Sequence, residues 1–178
     1  MRRLQPLDPA EAPRKSGELL GDIISRHGSA GTMVRTMAHS PALLQGYLDL
    51  SKAMKRIKLP RSLSERISLA LQEWIGCGTC LVAHTQGGRA AGLTDTDISL
   101  ARQGTATDVR EAALLSFGVR VLVEPASITD EEVAELRTHG WSDRVIAEVV
   151  GLVALNLLTG AFNLVSGNQP DATEPGDE

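Results

Sequence analysis

The 178-residue chain holds two cysteines, and both lie in the stretch Cys77-Gly78-Thr79-Cys80-Leu81-Val82-Ala83-His84. Gly76 and Gly78 break the helical pattern before them, and the apolar run after them starts a new helix at or just after Cys77. Thiols at a helix N-terminus meet unpaired backbone N–H groups and the positive end of the macrodipole, which favour thiolate over thiol. His84 follows Cys80 by four residues and Cys77 by seven, so a helix carries all three side chains on one face. The chemistry expected of that face is that of a reactive dithiol with its own base, Cys80 being the attacking thiol one helical turn from His84.

The helical stretch that precedes Gly76 must run antiparallel to the one that follows if the two form a hairpin. Glu65 and His84 then lie roughly 16 and 12 Å from the turn at about 1.5 Å per residue, close enough for the carboxylate to reach the imidazole. A Glu65–His84–Cys80 relay follows. Glu65 has a rival reading, because Ser62-x-x-Glu65 also has the form of a capping box that would spend the carboxylate on the start of its own helix.

The spacing Glu65-x(11)-Cys77-x-x-Cys80-x-x-x-His84 resembles the catalytic motif of the alkylhydroperoxidase AhpD-like and carboxymuconolactone decarboxylase superfamily. The likeness runs from about Thr36-Met37-Ala38-His39-Ser40-Pro41 to the segment Asn156 to Asn163; between the cysteines, where members often carry His or Tyr, this chain has Thr79. The resemblance implies an all-α AhpD-like domain with the CxxC pair at a helix N-terminus. It also implies a thiol-dependent peroxidase that reduces hydroperoxides through a dithiol/disulfide cycle. Cys80, Cys77, His84 and Glu65 are then the catalytic residues, an external dithiol, thioredoxin-like or lipoyl protein is the reductant, and the protein is a homo-oligomer, a trimer or a multiple of trimers. Two other readings stay open. One is a lyase of the carboxymuconolactone decarboxylase type, whose members generally lack the cysteine pair; the other is a non-catalytic redox-sensing or partner-binding module.

The elements that must hold this site are read from periodicity and caps. One domain suits the length. Residues 1–16, with Pro6, Pro9 and Pro13 among charges, read as an extended arm, 17–168 as the helical domain, and 169–178 as a disordered acidic tail. Ser40-Pro41, Thr107-Asp108 and Ser142 mark helix starts, as do Thr94-x-x-Asp97 and Thr129-x-x-Glu132; Gly28, Gly92 and Gly140 mark stops. Ile67, Ala70, Leu71, Trp74 and Ile75 form the buried stripe of the helix leading to the cysteines. The last helix, Asp143 to about Gly167, is apolar on nearly all sides and should be buried or packed on another subunit, with Asn156 and Asn163 as buried hydrogen-bond anchors.

A net charge of −4 argues against a nucleic-acid surface. The N-terminus lacks the apolar core of a signal peptide, and Glu148, Asn156 and Asn163 interrupt the most apolar segment, so no membrane span and a cytoplasmic protein are expected. A closed zinc site on Cys77, Cys80 and His84 would need a fourth ligand from His27, His39, His139 or a carboxylate, and none stands at a suitable spacing. No metal and no cofactor are expected.

Overall fold

The computed structural model describes residues 2–170; the acidic tail expected at 169–178 lies, from residue 171 onward, outside them. Among the described residues the chain is all helix and connecting turns. The helices are α1 Arg14–His27, α2 Thr32–Met37, α3 Pro41–Met54, α4 Arg61–Ile75, α5 Gly78–Ala90, α6 Asp95–Arg102, α7 Val109–Val123, α8 Asp130–Thr138 and α9 Asp143–Ser166, with a 3-10 turn at Pro125–Ser127. The all-α expectation holds.

Most boundaries sit where short polar side chains satisfy the free N–H groups of a first turn. Thr94 with Asp97 and Thr129 with Glu132 form reciprocal capping boxes. Asp108 accepts from the Arg110 and Glu111 N–H groups, Ser40 from Leu43, and Ser142 from Val145. The helix expected from Gly17 begins three residues earlier, at Arg14.

The chain divides into two compact units, Met1–Lys52 with Phe162–Glu178, and Ala53–Ala161. In the first, Leu20, Met37, Ala38 and Leu44 are buried together, with Tyr47, Leu48 and Phe162 packed against them. Residues 2–13 are non-helical and lie on this unit's own elements: Arg3 N–H donates to the Ser166 carbonyl at 2.7 Å, Leu7 N–H to the Arg35 carbonyl at 3.1 Å, and His39 Nε2 meets the Gln5 carbonyl at 2.9 Å. Asn163 is buried there and accepts from Asn168 Nδ2 at 3.0 Å.

The second unit is built on α4. All six residues from Ile67 to Gln72 are buried, because α5, α6 and α7 pack around the helix. Leu63, Ile67, Leu69 and Leu71 join Leu114, Leu115, Val149 and Leu152 in one core, each such side chain contributing about 1.5–3 kcal/mol on removal from water. Trp74 departs from the stripe assigned to it. At 61% exposure it lies outside the core, since α4 is enclosed along its middle and emerges at its last turn.

α9 corrects the reading that no segment approaches a membrane span. Asp143–Ser166 reaches a mean hydropathy of 2.0 over 18 residues, long and apolar enough by length and composition, with 33% of that window buried. One glutamate and two asparagines do not offset so many Val, Leu and Ala residues. Asn156 lies among α9's buried positions, while Val150, Leu157, Leu164 and Val165 are exposed along the helix.

Candidate active site

Glu65 owes its freedom to where α4 starts. Pro60, with φ −54° and ψ 144°, is the N-cap residue, and its carbonyl already accepts the first helical bond from Ser64 N–H at 3.0 Å. Ser62 therefore sits inside the helix, no side chain caps α4, and the Ser62-x-x-Glu65 box does not form. At the fifth helical position Glu65 has no unpaired N–H within reach. Its carboxylate crosses to α5 instead.

There Glu65 Oε2 lies 2.8 Å from His84 Nδ1. An ionised carboxylate can only accept, so His84 donates through Nδ1–H, and in the neutral ring it is Nε2 that keeps the lone pair. The pair is mostly buried, with side-chain exposures of 17% for Glu65 and 29% for His84. The second carboxylate oxygen, Oε1, stands 3.8 Å from Arg61 Nε one turn back on α4. The spacing of four residues between Arg61 and Glu65 is the sequence signal of such a pair.

The cysteines are set by the turn between α4 and α5. Gly76 closes α4 in the left-handed region at φ 78°, a conformation that costs glycine nothing because it has no Cβ. The Gln72 carbonyl then receives both Gly76 N–H at 2.9 Å and Cys77 N–H at 3.1 Å. Cys77 is the N-cap of α5, and its Sγ accepts from Cys80 N–H at 3.3 Å. The expected helix start is thus found with a cysteine sulfur in the place of a capping oxygen. Cys77 and Cys80 are joined in a disulfide with Cα atoms 5.3 Å apart, inside the usual range, and both are nearly closed off, at 1% and 6% exposure.

Behind the turn a buried polar group ties α4 to α9. Gln72 Nε2 donates to Asn156 Oδ1 at 2.9 Å and to its carbonyl at 3.0 Å, while Asn156 Nδ2 donates to Ser68 Oγ at 3.2 Å. Asn156 is thus the anchor its sequence position predicts, and Gln72, a glutamine among apolar stripe residues, is its partner. His139 is the C-cap residue of α8, where its carbonyl accepts from Arg110. Among the described residues no group of three or more His, Cys, Asp or Glu side chains is arranged to hold a metal ion.

A dithiol/disulfide pair at the N-terminus of α5, with an imidazole on that helix oriented by a carboxylate from α4, can take up a proton from a thiol and cycle between two redox states. Residues 41–124, which contain all four of these side chains, match the carboxymuconolactone decarboxylase family. Among curated proteins none matches the chain. In fold it is similar to an uncharacterized peroxidase-related protein from Ralstonia eutropha JMP134 with an alkylhydroperoxidase AhpD core, at TM-score 0.81 and 20% identity over 96% of this chain and 92% of that one. It is similar also to an uncharacterized peroxidase-related protein from Silicibacter sp. TM1040, at TM-score 0.79 and 18% identity over 96% and 94%. The debrominase Bmp8 shares the fold at TM-score 0.75 and 20% identity over 95% and 92%. Identities this low speak for the fold, and one fold carries different reactions. The helical fold, the motif spacing and the matched segment agree, and in all three the chain is similar to the AhpD-like and carboxymuconolactone decarboxylase superfamily.

Proposed function

We propose that this protein is a thiol-dependent peroxidase. The observation that carries the reading is the 2.8 Å Glu65–His84 contact on the helix whose N-terminus holds Cys77 and Cys80. His84 Nε2 takes the Cys80 proton, directly or through a water, and the Cys80 thiolate attacks the terminal oxygen of a hydroperoxide. The O–O bond breaks, an alcohol leaves with a proton, and Cys80 becomes a sulfenic acid. The Cys77 thiol then displaces water from that sulfur and the disulfide forms. Two electrons have passed from the thiol pair to the peroxide, and an external dithiol, of the thioredoxin-like or lipoyl kind, returns them by exchange. The protein works in the cytoplasm as a homo-oligomer in this reading.

A second reading, a redox switch without turnover, is favoured by the near-complete burial of both cysteines. Stopped-flow mixing of the reduced protein with cumene hydroperoxide or hydrogen peroxide separates the two. Rapid loss of both thiols with one peroxide consumed per disulfide formed, repeated on adding a dithiol, is the expected result. Oxidation no faster than that of free cysteine would overturn the peroxidase reading.

A further inference from the structure

Gly87 follows His84 by three residues on α5, which places it on the same helix face one turn further on. That face is bare backbone where Glu65 arrives. A methyl group at position 87 would lie 2.6 Å from Glu65 Oε1, 2.8 Å from Cδ and 2.9 Å from Oε2, all inside the distance at which unbonded atoms meet. Glycine is disfavoured against alanine in a helix interior, so α5 carries a local weakness at the one place where the carboxylate presses on it. The atoms in conflict are the far end of a flexible side chain. A Cβ here would therefore displace the carboxylate and leave the two helices in place.

We propose that Gly87 is a positioning residue for the relay: its missing side chain is the socket in which the Glu65 carboxylate sits, and this socket fixes Oε2 at hydrogen-bonding distance from His84 Nδ1. Arg61 sets the direction of failure. Pushed out of the socket, the carboxylate turns toward the exposed guanidinium already 3.8 Å from Oε1, and His84 loses the acceptor that holds its proton on Nδ1. The effect on turnover rests on the peroxidase reading above; the effect on the imidazole does not.

The test is Gly87→Ala, read on the disulfide form by two-bond proton–nitrogen NMR of the neutral His84 ring. Wild type should show the Nδ1–H tautomer. Gly87→Ala should move the ring toward the Nε2–H form that neutral histidine prefers in water, as Glu65→Ala does, without lowering the melting temperature. In the Glu65→Ala background the Cβ meets no carboxylate, so adding Gly87→Ala should change the tautomer no further, a non-additivity that marks direct contact. That background also guards against misfolding, because there the alanine only strengthens the helix. Peroxide consumption by Gly87→Ala should fall on the order of ten- to a thousandfold, as for loss of part of a general-base system. Retention of the Nδ1–H tautomer in Gly87→Ala, or a tautomer effect that persists undiminished in Glu65→Ala, would overturn the socket. If wild type itself fails to consume peroxide while the tautomer shifts as described, the socket stands and the peroxidase reading falls.

Discussion

Glu65 on α4 and His84 on α5 are nineteen positions apart in the chain and 2.8 Å apart in space, Oε2 to Nδ1. The contact exists because Pro60 starts α4 early enough to leave Glu65 with no cap to make. Glu65→Gln should therefore leave the melting temperature nearly unchanged. It removes the charge behind the imidazole, and peroxide consumption should fall on the order of ten- to a thousandfold. Rate and melting point measured side by side check this; a lowered melting point at unchanged rate would give Glu65 a structural role only.

Cys80→Ser should abolish peroxide turnover, while Cys77→Ser should allow one oxidation and leave a sulfenic acid on Cys80 that dimedone traps. Serine at 77 also keeps the cap that the Cys77 sulfur now gives to Cys80 N–H, so this variant should fold well. Dimedone labelling of Cys77 in Cys80→Ser at the wild-type rate would reverse the two roles.

Asn156→Leu should cost about 1–3 kcal/mol in urea unfolding, because Gln72 loses one of its two acceptors and Ser68 its donor in a buried site. Adding Gln72→Leu removes the stranded partner and should recover part of that loss. A double change that is as costly as the sum of the singles would show that packing, not the amide pair, holds α4 to α9.

Asp97 gives a pH dependence whose sign is fixed. The Thr94 N–H, then the Thr94 hydroxyl, then Arg66 hold its carboxyl down to about 2, below the ordinary value near 3.9. A carboxyl lowered by folding contributes stability that is fully present above about pH 4 and is lost as pH falls through about 2. Between pH 5 and pH 2 wild type should lose more stability than Asp97→Asn, measured as urea midpoints. Parallel losses in the two would remove Asp97 from the acid response.

The exposed apolar side of α9, with Val150, Leu157 and Leu164, is proposed to be covered by further copies of the chain, a trimer or a multiple of it following from the family resemblance. Light scattering at micromolar concentration should give such a mass, and Leu157→Glu should lower it. A monomeric mass for the wild type would count decisively against self-association.

Periodicity and caps were legible in the sequence because they are local. Thr94 with Asp97, Thr129 with Glu132, Asp108, Ser142 and the Cys77 helix start each depend on residues within one turn, and the chain alone determines them. The Cys77–Cys80–His84 face was legible for the same reason. What Glu65 does was decided elsewhere. Two local readings competed for one carboxylate, and the choice fell to where Pro60 begins α4 and to how closely α5 could approach at Gly87. Burial was likewise beyond local pattern: Trp74 has the spacing of a core residue yet lies outside, and α4 is enclosed on every side at Ile67 to Gln72, because exposure depends on which helices arrive from distant parts of the chain.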